Sequence, residues 1–351
     1  MKKLLFTALT AAMLFACGGD DDDSDNGDNS DPGGNNTGGG GQSTIQSSTG
    51  VDFPVGWQDM KTIAATDRLG NGTLVLILGN EAAVNSAENI TNNGATAWDE
   101  GSVIVRSVWR DRINSDSADT LAPGNFVSLT VMEKNANDFN TTEGWGYGLW
   151  RGDQLGAADT TENIVNNETC FACHNREVPD KDFVFTNPVK MPSQAAVSSA
   201  AASSGITLPA NVTNWQFINV HKRVGSQQVR VILGNPTAVE AARLGLTNPW
   251  PEGSQIADFV FAGAGNADSA DMLAAGNFAA LAYMEKDSTL YPDENGNWGY
   301  GFWRGENLAA EDAANEPIVN NETCASCHNR EVAENDFVFT RPGNLPSAAG
   351  Q

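Results

Sequence analysis

The sequence is poor in the residues from which most enzymes build a catalytic site. Its 351 residues include three histidines and five cysteines, and 20 basic residues are outnumbered by 44 acidic ones. The resulting net charge of −24 argues against binding to nucleic acids, because phosphates attract basic surfaces. No P-loop, zincin motif or Ser-His-Asp pattern is present. The functional argument therefore rests on the few cysteines and histidines.

The odd number of cysteines does not fit a framework of disulfides. Cys17 stands alone after two lysines and an apolar run, Leu4–Ala16, which is shorter than the ~20 residues of a membrane-spanning helix. Residues 1–17 resemble a bacterial lipoprotein signal in which Cys17 is lipidated; an ordinary signal peptide is the alternative. Gly18 at the next position favours the outer membrane of a Gram-negative bacterium.

Residues 18–50 have the composition of an unfolded tether. They contain seven aspartates, no lysine or arginine, and Ile45 as their single aliphatic residue. Such a segment buries too little apolar surface to fold, and its charges repel one another. We expect a solvated spacer between a lipid anchor in the membrane and the folded part of the chain.

The remainder of the chain contains one domain twice. Ile164–Thr186 matches Ile318–Thr340 at 18 of 23 positions, and further matches extend upstream to Trp57 and Trp215, which open the two copies. The predicted domains span 51–187 and 208–345, with a linker at 188–207. Each copy is long enough to fold around a core of its own.

Short, β-branched apolar runs predict antiparallel strands in each copy. Asn80 and Asn235 predict the start of one helix per copy, and a second helix is expected over Ile164–His174 and Ile318–His328. The fold class is therefore β-rich α+β, with two tandem antiparallel-sheet domains that each end in a helix. The predicted strands are Thr73–Leu78, Val103–Trp109, Phe126–Met132, Val229–Leu233, Ile256–Phe261 and Phe278–Met284.

Each copy contains a Cys-x-x-Cys-His motif, the attachment sequence of c-type haem. The motifs consist of Cys170, Cys173 and His174 in the first copy and Cys324, Cys327 and His328 in the second. Thiols one helical turn apart can bond to the two vinyl groups of a porphyrin, and the adjacent histidine then ligates the iron. A redox dithiol, a shared zinc site and structural disulfides are the alternatives. The expected cofactors are two covalently attached haem c groups.

The second axial ligand of each iron decides between ligand binding and plain electron transfer. The remaining histidine, His221, aligns with Ile63 when the opening tryptophans are matched, so bis-histidine ligation cannot serve both haems. We interpret His221 as a hydrogen-bonded strand residue rather than a ligand, and Met132 and Met284 as core rather than axial thioethers. Five-coordinate iron open to a small ligand is the leading prediction.

At this point the sequence resembles the cytochrome P460/cytochrome c′-β family. The matching pattern includes Trp98–Ser102 or Trp250–Ser254, then Met-Glu-Lys, Trp-Gly-Tyr-Gly, Cys-x-x-Cys-His and Asp-Phe-Val-Phe. The resemblance covers nearly all of both copies. It implies a β-sheet cytochrome with a histidine-ligated, usually five-coordinate haem.

In P460 proper, a lysine five positions after the glycine of the Asp/Glu-Gly turn bonds to the porphyrin and supports hydroxylamine oxidation. Arg106 and Asp258 occupy that position here, and neither supplies an amine nucleophile. The catalytic residues are therefore unknown, and Arg106 and Asp258 become the distal candidates. Arg106 can donate to a ligand, and Asp258 can accept from one; the alternative is that both point to solvent.

Other charged residues are repeated in the two copies. Lys134 and Lys286 are predicted to be strand-end surface charges. Four arginines are expected either to pair with haem propionates or to form surface ion pairs with Glu177 and Glu331. These arginines are Arg151, Arg176, Arg304 and Arg330.

The sequence thus predicts a lipid-anchored dihaem cytochrome that binds a small ligand such as nitric oxide, transfers electrons, or does both. Periplasmic redox proteins are the expected partners. Oxidation of hydroxylamine or another small nitrogen compound is the second hypothesis, and a purely electron-transferring six-coordinate cytochrome is the third. Whether the chain is an enzyme stays open, because the cross-linking lysine is missing.

Overall fold

The computed structural model describes residues 47, 49–153, 155–157, 167–266, 269–292, 295–310 and 321–346. Cys17 and nearly all of the predicted tether lie outside these residues, so the lipoprotein prediction is not addressed by the fold. Within the described part, no helix combines the length and hydrophobicity needed to cross a membrane.

The two copies contain the same elements in the same order, with the short helix α3, Gln194–Ser199, between them. The first copy comprises β1 Lys61–Arg68, β2 Thr73–Gly79, α1 Glu81–Asn93, β3 Val103–Asn114, β4 Ser117–Lys134, β5 Trp145–Arg151, β6 Gly156–Ala157 and α2 Asn167–Glu177. The second comprises β7 Gln216–Arg223, β8 Gln228–Gly234, α4 Pro236–Leu244, β9 Gln255–Asn266, β10 Ser269–Lys286, β11 Trp298–Arg304, β12 Ala309–Ala310 and α5 Asn321–Val332.

Strands from both copies close into one antiparallel ring. The order is β1-β2-β3-β4-β7-β8-β9-β10, and β10 pairs back onto β1. Leu121 lies opposite Lys222 where β4 meets β7, and Asp67 lies opposite Leu273 where β1 meets β10. The pairs β5–β6 and β11–β12 extend the sheet beyond the ring. Backbone hydrogen bonds therefore join the strands of the two copies into one sheet.

The interior of the ring is a single core to which both copies contribute. Leu74, Leu76 and Leu78 of β2 are fully buried in it, together with their counterparts on β8 and the rings of Trp57 and Trp215. Burial of this much apolar surface is the main stabilising contribution to the fold. The expectation that each copy closes a core of its own is wrong, because the largest cluster is shared.

Alternate residues of the same strands point outward and form a smaller cluster in each copy. In the first copy Val75 and Ile77 of β2 pack there with α1 and Cys170 of α2. Ile232 of β8 belongs to the matching cluster, with α4 and Cys324 of α5. Helices α2 and α5 thus lie outside the ring, where they contact β5 and β11.

The predicted strands and helices are present, with different ends. Asn80 and Asn235 cap α1 and α4 as expected, because each Oδ1 accepts the N–H of the third following residue at 3.0 Å. The strands β4 and β10 are much longer than predicted, at 18 residues each. Because of register shifts within these strands, β4 pairs with β3 of its own copy and with β7 of the other copy. In the same way β10 pairs with β9 and with β1.

Candidate functional site

The histidine of each motif is held in one orientation by a backbone carbonyl. His174 Nδ1 lies 2.7 Å from Phe183 O, and His328 Nδ1 lies 2.7 Å from Phe337 O. A carbonyl oxygen only accepts hydrogen bonds, so Nδ1 donates and Nε2 keeps its lone pair. This second contact is typical of histidines that ligate a metal.

Aromatic rings surround each of these imidazoles. The ring centroids of Tyr147 and Phe185 both lie 4.9 Å from that of His174. The equivalent rings of the second copy lie 4.7 and 4.9 Å from His328. Burial lowers the pKa of both histidines, which keeps them neutral and able to ligate iron.

The four cysteines of the motifs form no disulfides with one another and lie one helical turn apart on α2 and α5. Burial raises the pKa of Cys170 to about 11 and also raises the pKa of Cys324. A redox dithiol depends on a lowered thiol pKa, so this alternative is disfavoured. Paired thiols, an oriented imidazole and apolar surroundings together fit a covalently attached haem.

The prediction that Lys134 and Lys286 are surface charges is wrong. Lys134 Nζ forms an ion pair with Asp182, and Lys286 Nζ lies 2.6 Å from Asp336 Oδ2. The first two side chains are 16% and 14% exposed, and the second two are 8% exposed each. Each ammonium also lies over a tryptophan ring, at 5.3 and 5.6 Å from the centroid.

These ion pairs hold the turn that presents the carbonyl to the histidine. Asp182 and Phe183 have φ of 51° and 64°, a left-handed conformation that costs side-chain-bearing residues about 1–3 kcal/mol each. Asp182 Oδ2 also accepts the Trp98 N–H at 2.8 Å. Lys134 and Asp182 are therefore positioning residues for His174. Sequence reasoning missed this contact, although both residues recur at matching positions in the second copy.

Strand register corrects the alignment of His221. The pairing of β7 with β8 repeats that of β1 with β2, so the counterpart of His221 is Thr66 and not Ile63. His221 is buried, and its Nε2 lies 2.9 Å from Asn219 Nδ2. This contact favours the interpretation of His221 as a strand residue with a satisfied hydrogen bond.

The other repeated residues divide into three groups. Met132 and Met284 pack against the outer clusters beside α2 and α5, as expected for core. Arg176 and Arg330 pair at the surface with Glu177 and Glu331, at 2.5 and 2.6 Å. For Arg151 and Arg304, pairing with haem propionates stays a prediction.

The distal candidates Arg106 and Asp258 lie at equivalent places on β3 and β9. Each is opposite an outward-facing isoleucine of the preceding strand, Ile77 or Ile232, so both belong to the outer face that carries the motif helix. Both are half-buried rather than exposed, which argues against the alternative that they point to solvent. Sequence reasoning missed Arg230 of β8, whose Nη1 lies 2.6 Å from Asp258 Oδ2.

Comparison with known families agrees with this geometry. The family model for cytochrome P460 matches residues 54–186 and 209–340, which include both Cys-x-x-Cys-His motifs. A comparison with curated proteins found no match. The family supports a c-type cytochrome function and implies binding of haem c. Since the two matches cover most of its length, the chain belongs to the cytochrome P460 family.

Proposed function

We propose that this protein is a dihaem cytochrome with one covalently attached haem c in each copy. Cys170 and Cys173 would bond to the vinyl groups of the first haem. Cys324 and Cys327 would bond to the vinyl groups of the second. When bound, the haem supplies a redox-active iron that can take a small ligand such as nitric oxide. The observation that carries the proposal is the carbonyl-locked histidine, which recurs with the same 2.7 Å contact in both copies.

The proximal residues would act by orienting one ligand atom. Phe183 O accepts a hydrogen bond from His174 Nδ1, which would leave the lone pair of Nε2 available to ligate the iron. The ion pair of Lys134 with Asp182 keeps this carbonyl in place. Tyr147 and Phe185 pack around the imidazole and exclude water, so the ring has little freedom to rotate or to become protonated.

The chain offers few candidates for a sixth ligand. The two motif histidines are engaged as described, and the Nε2 of His221 is in contact with Asn219. Met132 and Met284 are packed in apolar clusters. These contacts support the proposal that each iron, once bound, would have one protein ligand, His174 or His328, and would be open to a small ligand.

The N-terminal residues support a proposal about location. The lipobox-like sequence ending at Cys17 and the acidic residues 18–50 suit an exported lipoprotein tethered to the outer membrane. Its redox partners would then be periplasmic proteins. Mass analysis of the membrane-extracted protein tests this: a mature chain that starts at a lipidated Cys17 is expected, and a soluble chain cut elsewhere would contradict it.

Optical spectra of the oxidised and reduced protein, with and without nitric oxide, test the proposed function. We expect an intact mass that includes two haems, a high-spin ferrous state, and a spectral shift when nitric oxide is added. Low-spin spectra that do not respond would instead support a purely electron-transferring cytochrome. A strongly red-shifted ferrous Soret band would indicate a porphyrin cross-link and revive hydroxylamine oxidation. An intact mass without haem would overturn all three functions.

A further inference from the structure

The outer sheet face beside the motif helix, called here the pocket of each copy, differs in charge between the copies at Arg106 and Asp258. On β3, Arg106 lies between Ile77 of β2 and Thr130 of β4. On β9, Asp258 occupies the equivalent position between the matching strands. The same outer face carries, on β5, the Tyr147 ring that contacts His174. The face that contacts the motif histidine therefore carries an arginine in one copy and an aspartate at the equivalent position in the other.

In the second copy the charge of the aspartate is neutralised. Asp258 pairs with Arg230 at 2.6 Å, and the two side chains are about equally buried. The neighbouring His221 lies opposite Arg230 on β7, and burial lowers its pKa to about 4. It is therefore uncharged at neutral pH. The second pocket carries one positive and one negative charge, which sum to zero.

Among the described residues of the first copy, no carboxylate takes the corresponding role. The counterpart of Arg230 is Val75, and the described part of the chain supplies no ion-pair partner to Arg106. The charged side chain that acts on Arg106 is Arg68, which is itself paired with Asp271 at 3.0 Å. Burial, with Arg68 as a second cause, lowers the pKa of Arg106 to about 10. Arg106 is still protonated at neutral pH, so within the described residues the first pocket keeps one positive charge without a counter-charge.

A half-buried cation without a counter-ion is unfavourable until an anion joins it. We propose that the first copy selects small anionic iron ligands, of the class of nitrite and azide, through Arg106, whereas the second copy favours uncharged ligands. This inference rests on the proposed function, because it needs an iron position open to a ligand. Arg106 would donate to the anion, with the neutral hydroxyls of Thr66 and Thr130 on the same face.

The test is a titration of the oxidised holoprotein with azide and with nitrite, followed by optical and electron paramagnetic resonance spectra. Two classes of haem are expected, one of which binds the anion more tightly. Arg106→Gln should weaken the tight class by about tenfold or more, because a charged hydrogen bond is lost. Arg112→Gln, on an exposed residue of the same strand, removes the same charge and should leave both affinities unchanged.

The opposite change can be made in the second copy. Asp258→Asn removes the counter-charge of Arg230 and should strengthen anion binding by the weak class by a similar factor. This gain cannot arise from misfolding, so it tests the proposal even if Arg106→Gln folds poorly. Nitric oxide binding by the reduced protein should change less than about threefold in either variant, because the ligand is uncharged.

The outcomes separate the inference from the proposed function. If nitric oxide binds but neither substitution alters azide or nitrite affinity, the selectivity assigned to Arg106 is wrong and the proposed function stands. An unchanged affinity would also result if Arg106 pairs with a haem propionate, and it would overturn the inference equally. If no ligand binds to either haem, the proposed function fails first.

Discussion

The segment from each Cys-x-x-Cys-His motif to its Asp-Phe-Val-Phe turn keeps the same residues at 11 of 16 positions in the two copies, whereas the sheet face beside it carries opposite charges. The 2.7 Å contact to the histidine and the lysine–aspartate pair recur in both. Arg106 and Asp258 do not. The elements that would hold the cofactor are thus shared, and the charged residues on the sheet face beside them have diverged.

Equivalent positions of opposite charge are also present where the two copies meet. Asp67 of β1 and Lys222 of β7 occupy the same position of the repeat, and they form an ion pair with each other inside the ring. Their side chains are 1% and 4% exposed. Two identical chains would bring like charges together here. Joining the copies in one chain allows one residue to change sign, and this asymmetry stabilises the interface.

The largest effect is expected from removing one partner of this central pair. Lys222→Met leaves Asp67 charged and buried beside Asp111, whose own pKa is raised by burial and, secondarily, by Asp67. Loss of one partner of a buried pair typically costs ~3–5 kcal/mol. We expect a loss of this size in the free energy of unfolding, measured by urea titration. Because both copies share one core, a single transition should report it.

The matched control is the double variant Asp67→Asn with Lys222→Met. It removes both charges, so most of the lost stability should return, and a double-mutant cycle gives the coupling energy. If the double variant is as unstable as Lys222→Met, packing of the lysine stem and not its charge would explain the loss.

The next largest loss of stability is expected when the lysine that pairs with Asp182 or Asp336 is removed. Lys286→Met leaves Asp336 without its ion pair at 8% exposure, and Lys134→Met does the same to Asp182 at 14%. We expect a loss of about 3 kcal/mol for Lys286→Met and less for Lys134→Met, because water solvates the more exposed carboxylate. Urea titration measures both. Lys190→Met, at an exposed ion pair, is the control and should change little.

A positioning role adds a second readout to the same variants. If each lysine holds the turn that orients the histidine, the iron–histidine stretching frequency of the reduced haem in that copy should shift. A shift in the other copy, or none in either, would reduce the lysines to a purely structural role.

The second copy has His221 where the first has Thr66, and this difference predicts a pH-dependent contribution to folding stability from the second copy. Burial, opposed by Asp258 and reinforced by Arg230, lowers the pKa of His221 to about 4 in the folded protein. The unfolded chain binds a proton near its ordinary pKa, so folded stability falls as the pH drops between these values. From pH 7 to 5 this residue should cost about 2 kcal/mol. His221→Thr, which matches Thr66 of the first copy, should lose that part of the slope; an unchanged slope would contradict the shifted pKa.

Local patterns in the sequence were sufficient for some parts of the structure and not for others. The caps at Asn80 and Asn235 and the apolar run of β2 depend on neighbouring residues, so they were predicted. Closure of the ring depends on the pairings of β1 with β10 and of β4 with β7. These involve only the ends of long, shifted strands, and no sequence period encodes them.

The candidate site divides in the same way. The thiols and the histidine are adjacent in sequence, so the attachment motif could be identified directly. Lys134 pairs with Asp182, which lies in a turn 48 residues further along the chain. Arg230 of β8 pairs with Asp258 of the neighbouring strand β9, and this contact can be predicted only when the register of the two strands is known. The alignment of His221 with Ile63 failed for this reason, since spacing before β1 differs between the copies.

The smallest difference between the copies is expected at the helix caps, where the geometry is the same. Asn80 Oδ1 accepts from Ala83 and Val103, at 3.0 Å each, and Asn235 makes the equivalent contacts at 3.0 and 3.1 Å. Each side chain therefore joins a helix start to the neighbouring strand. Asn80→Ala and Asn235→Ala should each lower the free energy of unfolding by about 1–2 kcal/mol, and by amounts equal within about 0.5 kcal/mol. Asn80→Asp and Asn235→Asp keep the accepting oxygen and should cost less. Urea titration of the four variants measures these losses. A clearly larger loss of unfolding free energy in one copy would mean that the two caps contribute unequally despite their equal geometry.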